Sequence, residues 1–415
     1  MANCGCLVDA GNDIETKNLR ILEVSGGGGV GCQHMGPVTN VVTQVANHIS
    51  ELGAQTFVLD SMNNEARPSL NPQVSLLEVD TSSVESRPFE IQQRAALAFP
   101  KWVSRTNLLR KIDIVHVHHA GMVAGFRHIT NCPIVFTCHT PGFWLEPEQY
   151  NSLKGKLKFA RLKWQEHFGV NDLYAIRNAD ITIGLGSHLS KGVMQLSPRI
   201  NAENKITVIP NGVNIEDVLV LEQARARELL DATPNQFRIV CVGRITRIKG
   251  IHILLKSLQR IKEQLNDFVL DIIGPVQDEE YYTELKELAK GLNVHFNGFV
   301  SNKSDQFRQI VCAADVSLVP SLNDNQPTVI LESLAFGLPV IASNVGAIPE
   351  MLTGEFGQIV QKGNVDALAK AILELHQRRA VDPELPTKTR RFVEQKFSWD
   401  SCARQHVDVF KSLLD

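Results

Sequence analysis

The sequence predicts an α/β protein built from two doubly wound, Rossmann-like domains facing a cleft. Three observations predict it. Short apolar runs alternate with longer segments of helical period, the pattern of parallel sheets covered on both faces. The alternation restarts after Ile206-Thr-Val-Ile-Pro-Asn-Gly-Val213. The chain's 415 residues also exceed the roughly 250–300 that a single core sustains.

Residues 1–17 are polar and aperiodic and predict a loose tail. Leu19–Ser25 reads as the first buried strand. It runs into the glycine loop Gly26-Gly27-Gly28-Gly29-Val30-Gly31, and Val38 to Leu52 follows with helical period. Thr56–Leu59, Asp113–Val117, Ile134–Thr137 and Ile181–Ile183 continue as strands with helical segments between them. In the second half the strands are Arg238–Val242, Val269–Ile273, Val294–Phe296, Val316–Val319 and Pro339–Ala342. The expected division is 18–205 for the first domain and 206–397 for the second, with a terminal helix, 398–415, returning to the first. Ser398 is a candidate cap for that helix. Tandem doubly wound sheets bind ligands at the carboxyl ends of their strands.

A net charge of −3 gives no sign of a nucleic-acid partner. The basic cluster Lys154, Lys156, Lys158, Arg161 and Lys163 reads as a solvated helix face, with peripheral contact to an acidic surface left open. No apolar run reaches the ~18–20 residues of a membrane span. The acidic N-terminus lacks the basic-plus-apolar start of a secretory signal. Eight scattered cysteines fit a reducing, cytoplasmic setting. Cys4-x-Cys6 lacks metal-ligand spacing with partners nearby.

The chemistry concentrates in Pro320 to Val340. Asp324 stands in a loop, Pro327 opens a helix, Glu332 lies inside that helix, and Gly337 ends it before the next strand. The free amide N–H groups of the first turn that follows Pro327 form a ready-made anion site. Gly243-Arg-Ile-Thr-Arg-Ile-Lys-Gly250 follows the first strand of the second half and supplies Arg244 and Lys249. Two cations there would stabilise the negative charge of a departing diphosphate. The glycine loop lets backbone approach a phosphate closely, but it matches the dinucleotide fingerprint poorly, and only Asp60 keeps that alternative open. His116 and His118 point to one side of a strand. No acid joins them at a familiar spacing, so no metal site is assigned.

The segment 324–340 resembles the donor-site signature of retaining glycosyltransferases of family four (glycosyl transferases group 1), which have the GT-B fold. That pattern is Glu, seven residues, Glu, with Pro three after the first acid. Here the spacing holds with Asp324 as the first acid. The resemblance extends over roughly 18–412 and is strongest in 206–350. It implies transfer of a sugar from a nucleotide-diphosphate donor to a lipid, saccharide or small-molecule acceptor, with retained configuration; because the chain's own cations would do what a metal ion does, no metal or cofactor is expected. It gives Arg244 and Lys249 to the diphosphate, Asp324 to the donor sugar and Glu332 to the ribose. Asn325 to Val329 complete the donor signature. It places the nucleobase at Phe299 and Val300, the backbone of Gly28 and Gly29 at the donor phosphate and acceptor, and His139 near the reacting sugars. Two alternatives stay open: a nucleotide-sugar epimerase on a similar fold, and a catalytically silent nucleotide-sugar-binding partner. The base, the sugar, the acceptor and the oligomeric state are not legible in the sequence.

Overall fold

The computed structural model describes residues 16, 19–26, 30, 32, 37–62, 65–82, 91–139, 157, 172–197, 199–200, 202–216, 218–233, 235–265, 267–352, 355–378 and 384–415. Among these, two sheets form. The first has seven strands in the order β3-β2-β1-β4-β5-β6-β7. They are β1 Arg20–Val24, β2 Gln55–Ser61, β3 Ser75–Val79, β4 Ile114–Val117, β5 Ile134–Cys138, β6 Ile181–Gly184 and β7 Ile206–Val208. The pairs β3–β2, β2–β1, β1–β4 and β4–β5 run parallel. The second sheet has six strands in the order β10-β9-β8-β11-β12-β13. They are β8 Phe237–Val242, β9 Phe268–Ile273, β10 Val294–Phe296, β11 Val316–Val319, β12 Val340–Ser343 and β13 Gly357–Val360, all paired parallel.

Two compact units result. One holds the described residues up to Ile183, with Arg199–Thr207 and Ala403–Asp415. The other holds Gly184–Pro198 and Val208–Cys402. This division departs from the sequence boundaries for a local reason. The helix His188–Leu196 is tied into the second unit by its start. Ser187 donates from its backbone N–H and its hydroxyl to Glu350, at 2.9 and 2.8 Å, and His188 Nε2 lies 2.6 Å from Asn325 Oδ1. The terminal helix Trp399–Ser412 changes unit after Cys402.

The core of the second unit follows from apolar strands covered by amphipathic helices. On the helix Ile251–Ile261, Ile251, Leu254, Leu255, Leu258 and Ile261 recur at helical spacing and are buried. Burying such a side chain is worth about 1.5–3 kcal/mol. Side-chain caps fix two further helix starts. Asp278 accepts from the Tyr281 amide at 2.9 Å and Ser304 from the Phe307 amide at 3.2 Å. At the amino-terminal ends of β8 and β11, the Asp315 carboxylate, its side chain 4% exposed, accepts from Arg227 Nη2 at 2.8 Å and from the Arg238 amide at 2.7 Å. A buried carboxylate is tolerated because it is paired and hydrogen-bonded.

Both sheets have a point where strand order reverses, β1/β4 in the first and β8/β11 in the second. Loops leaving such a point on the carboxyl side diverge and leave room for a ligand. Arg244 and Lys249 lie after β8, and Asp324 lies after β11.

Candidate active site

In the second unit the loop after β8 meets the loop after β11. The Leu322 amide donates to the Ile248 carbonyl at 2.7 Å. Gly250 makes this approach possible: it sits at φ +69°, and a Cβ there would fall 2.0 Å from the Pro320 carbonyl oxygen. The contact sets Lys249 Nζ 2.5 Å from Asp324 Oδ2, with both side chains largely shielded. Asp324 also accepts from the Ser321 hydroxyl at 3.3 Å and the Asn325 amide at 3.1 Å. Two residues expected to hold different parts of a donor thus form one ion pair. An ammonium has three N–H groups, so Lys249 retains donors for an anion beside the carboxylate. Arg244 is exposed on the same loop and donates to Gln277 Oε1 at 3.0 Å.

Pro327 precedes the helix Thr328–Ala335, where the Ile330 amide donates to the Pro327 carbonyl at 3.1 Å and the Thr328 and Val329 amides lie ahead of the intrahelical ladder. Thr328 is exposed and Val329 half-buried against the core. Glu332 is half-buried. Burial pushes its carboxyl up from the ordinary range, against a hydrogen bond from the Thr328 side chain. A carboxyl in that position gains from hydroxyl donors brought by a ligand. Gly337, at φ +85°, ends the helix as the sequence predicts.

Asn325 and Gln326 face the protein. Asn325 is engaged by His188, and its carbonyl accepts from the Ala347 amide at 2.7 Å. Gln326 is buried and its Oε1 accepts from the Asn211 amide at 2.8 Å. Its side chain therefore shapes the loop. Gly346, at φ +55°, closes the same turn, since a Cβ there would lie 2.2 Å from the Asp324 carbonyl oxygen. Phe299, after β10, is 74% exposed, whereas Val300 packs beside the buried cluster of Val240, Ile273 and Phe307. An exposed aromatic face at a strand end offers a surface for stacking.

In the first unit, Gly28 and Gly29 lie outside the described residues. The far end of their loop is fixed: the Val30 amide donates to Asp60 at 2.7 Å, and Arg67 Nη1 bonds both the Val30 carbonyl and Asp60 at 2.6 Å. Asp60 is fully buried in these contacts, so it anchors the loop and does not stand ready for a ribose.

His139 stands just past β5 and is almost fully buried. Its Nε2 is 2.9 Å from His118 Nδ1. His118 Nε2 is 2.8 Å from Glu23 Oε2, and His116 bonds Glu23 through Nδ1 and the Thr137 hydroxyl through Nε2, the latter at 2.7 Å. Glu23 is the acid that the sequence spacing did not show. It comes from β1, where parallel register sets it beside His116 of β4. A charged residue inside the apolar run of β1 was the available signal, because such a group needs a partner. Burial alone would raise the Glu23 carboxyl, but His116 and His118 hold it down at about 2. Burial and then His116 push His118 down to about 4, against its bonds to Glu23. His139 is driven well below the ordinary histidine range, first by burial and then by His118, His116 and His406. Ligand atoms of Glu23, His116 and His118 lie within 4.8 Å of one another, close enough to surround a cation. The donors and acceptors, however, already balance with protons alone.

Two parallel α/β units, with a lysine, acids and a helix start gathered at one switch point, define the architecture of a GT-B protein. Residues 38–217 match the model of Glycosyltransferase Family 4 and residues 236–378 that of Glycosyl transferases group 1. The chain belongs to this family of glycosyltransferases. An uncharacterised glycosyltransferase of Methanocaldococcus jannaschii is 29% identical over 51% of this chain, a match that spans only 55% of the relative's length. The alpha-maltose-1-phosphate synthase of Mycobacterium tuberculosis is 28% identical over 74% of this chain and 81% of its own. Among solved structures, sucrose-phosphate synthase from Thermosynechococcus elongatus superposes with a TM-score of 0.74 at 21% identity, covering 95% of this chain and 99% of that one. The Anabaena protein HepE in complex with UDP gives 0.71 at 18% identity, covering 95% and 100%. Among the described residues, no helix is long and apolar enough to cross a membrane.

Proposed function

We propose that this chain transfers a sugar from a nucleoside-diphosphate donor to a hydroxyl-bearing acceptor, retaining the anomeric configuration. The observation that carries the reading is the Lys249–Asp324 pair at the β8/β11 switch point, beside the start of the helix that holds Glu332. Lys249, Arg244 and the first-turn amides would hold the diphosphate, whose charge grows as the glycosidic bond breaks. Asp324 would accept from hydroxyls of the transferred sugar, next to the phosphate through its shared ammonium. Glu332 would take the ribose hydroxyls, and Phe299 would flank the base. None of these groups is set up as a nucleophile. That supports displacement on one face, in which the leaving phosphate oxygen takes the acceptor's proton as the new bond forms. Protein cations perform the charge neutralisation, so the reaction is proposed to need no divalent metal.

The test begins with ligand-induced thermal stabilisation by UDP, GDP and ADP and their sugars, since a ligand selective for the native state raises apparent stability. The solved UDP complex makes uridine donors the first choice. Product from the donor so found is then analysed by NMR. Retained configuration supports the reading and inversion refutes it.

A further inference from the structure

Lys249 ends the short turn Arg247–Lys249, and Gly250, at φ +69°, joins that turn to the helix Ile251–Ile261. Glycine has wide backbone freedom, so the joint alone does not fix the angle between turn and helix. Tyr281 touches both sides of it. Asp278 caps the helix Glu279–Leu288 by accepting from the Tyr281 amide, and the Tyr281 side chain is fully buried. Before the glycine, the Arg247 guanidinium lies 4.8 Å from the centre of the Tyr281 ring, and its Nη2 donates to Glu284 of the same helix at 2.6 Å. After the glycine, the Tyr281 hydroxyl accepts from the His252 amide at 3.0 Å and lies 2.8 Å from His252 Nδ1. An amide N–H can only donate, so the hydroxyl's own proton is left for Nδ1. Burial pushes the Tyr281 hydroxyl up to about 12, which keeps that proton in place at neutral pH. Burial, then Lys256 and Arg247, hold His252 below the ordinary histidine range against Glu284, so its ring is neutral and Nδ1 can accept.

We infer that Tyr281, with His252 accepting its hydroxyl proton, is a positioning residue that fixes Lys249 for the donor's diphosphate by clamping the chain on both sides of Gly250. The inference rests on the reading of Lys249 as a diphosphate ligand. The other side of the turn is held by the Leu322 amide on the Ile248 carbonyl. Without the hydroxyl, turn and helix can pivot at Gly250, and the Lys249 ammonium is no longer held at one place.

Calorimetric titration of the full chain with UDP, GDP and ADP tests this, using whichever binds most tightly. Tyr281→Phe keeps the ring beside Arg247 and removes only the hydroxyl. It should weaken binding about tenfold, the worth of one hydrogen bond. In a Lys249→Ala background the same change should weaken binding no further, because the effect passes through the ammonium. His252→Leu should repeat the Tyr281→Phe loss. His252→Asn, whose side-chain oxygen takes the place of Nδ1, should keep the parent's affinity. The two His252 variants decide the matter should Tyr281→Phe fail to fold. Parent-like binding by Tyr281→Phe or His252→Leu, a Tyr281→Phe loss that adds in full to that of Lys249→Ala, or equal losses in His252→Leu and His252→Asn would each overturn the inference alone. Unchanged affinity in Lys249→Ala, or no binding of any of the three nucleotides, would refute the diphosphate reading and the inference with it.

Discussion

Lys249 and Asp324 are one electrostatic unit, so neither can be altered alone without exposing the other. Lys249→Ala removes one of the two cations proposed for the diphosphate and leaves Asp324 to repel the incoming anion. The expected loss in nucleoside-diphosphate affinity is about 1.5–3 kcal/mol, roughly ten- to a hundredfold, read by calorimetry. Unchanged affinity would take Lys249 out of the site. Asp324→Asn keeps the shape and removes the charge. It is expected to lower turnover more than nucleotide affinity, because the carboxylate is assigned to the sugar. Glu332→Gln should show the reverse bias through the ribose. A kinetic split in the opposite sense would exchange the two roles. Gln326 teaches a different lesson. It stands inside the signature, yet its side chain is spent on the Asn211 backbone, so sequence position did not reveal its direction.

At the scale of elements, the site depends on two loops that must approach backbone to backbone. Gly250 permits it by combining a left-handed φ with the absence of a side chain. Gly250→Ala is expected to destabilise the protein by at least about 1–3 kcal/mol, the range for forced backbone strain, and to weaken nucleotide binding by displacing Lys249. Thermal denaturation with and without nucleotide checks both. A variant with the parent's Tm and affinity would show that the loops tolerate separation. Most strands were legible as apolar runs, but β3, β7 and β13 were not. All three are edge strands with half-exposed residues, and SLLEV, ITV and GQIV carry too little apolar pattern to stand out.

For the molecule as a whole, the buried histidine–glutamate cluster ties stability to pH. His118 has a folded pKa of about 4 against an ordinary 6.5, so the unfolded chain takes up the proton first as pH falls. The stabilisation is complete above 6.5 and is lost between 6.5 and 4. Glu23, at about 2 against 4.5, adds a second loss between 4.5 and 2. Tm should therefore fall in two stages on acidification, and His118→Phe should lack the first. A Tm that is flat from 6.5 to 4 in the parent would contradict the assignment. Turnover is expected to survive EDTA, and a complete loss restored by Mg²⁺ would refute the metal-free reading. By itself the sequence determined the two α/β units, most strands and the loops carrying Arg244, Lys249, Asp324 and Glu332. Those features rest on hydrophobic period and turn chemistry, which act over a few residues. Only the tertiary structure decided who meets whom: Lys249 with Asp324, Asn325 with His188, and Glu23 with His116 and His118. The physical reason is the parallel sheet, which brings together strand ends separated by 75 to 137 residues of chain, a distance over which local pattern carries no information.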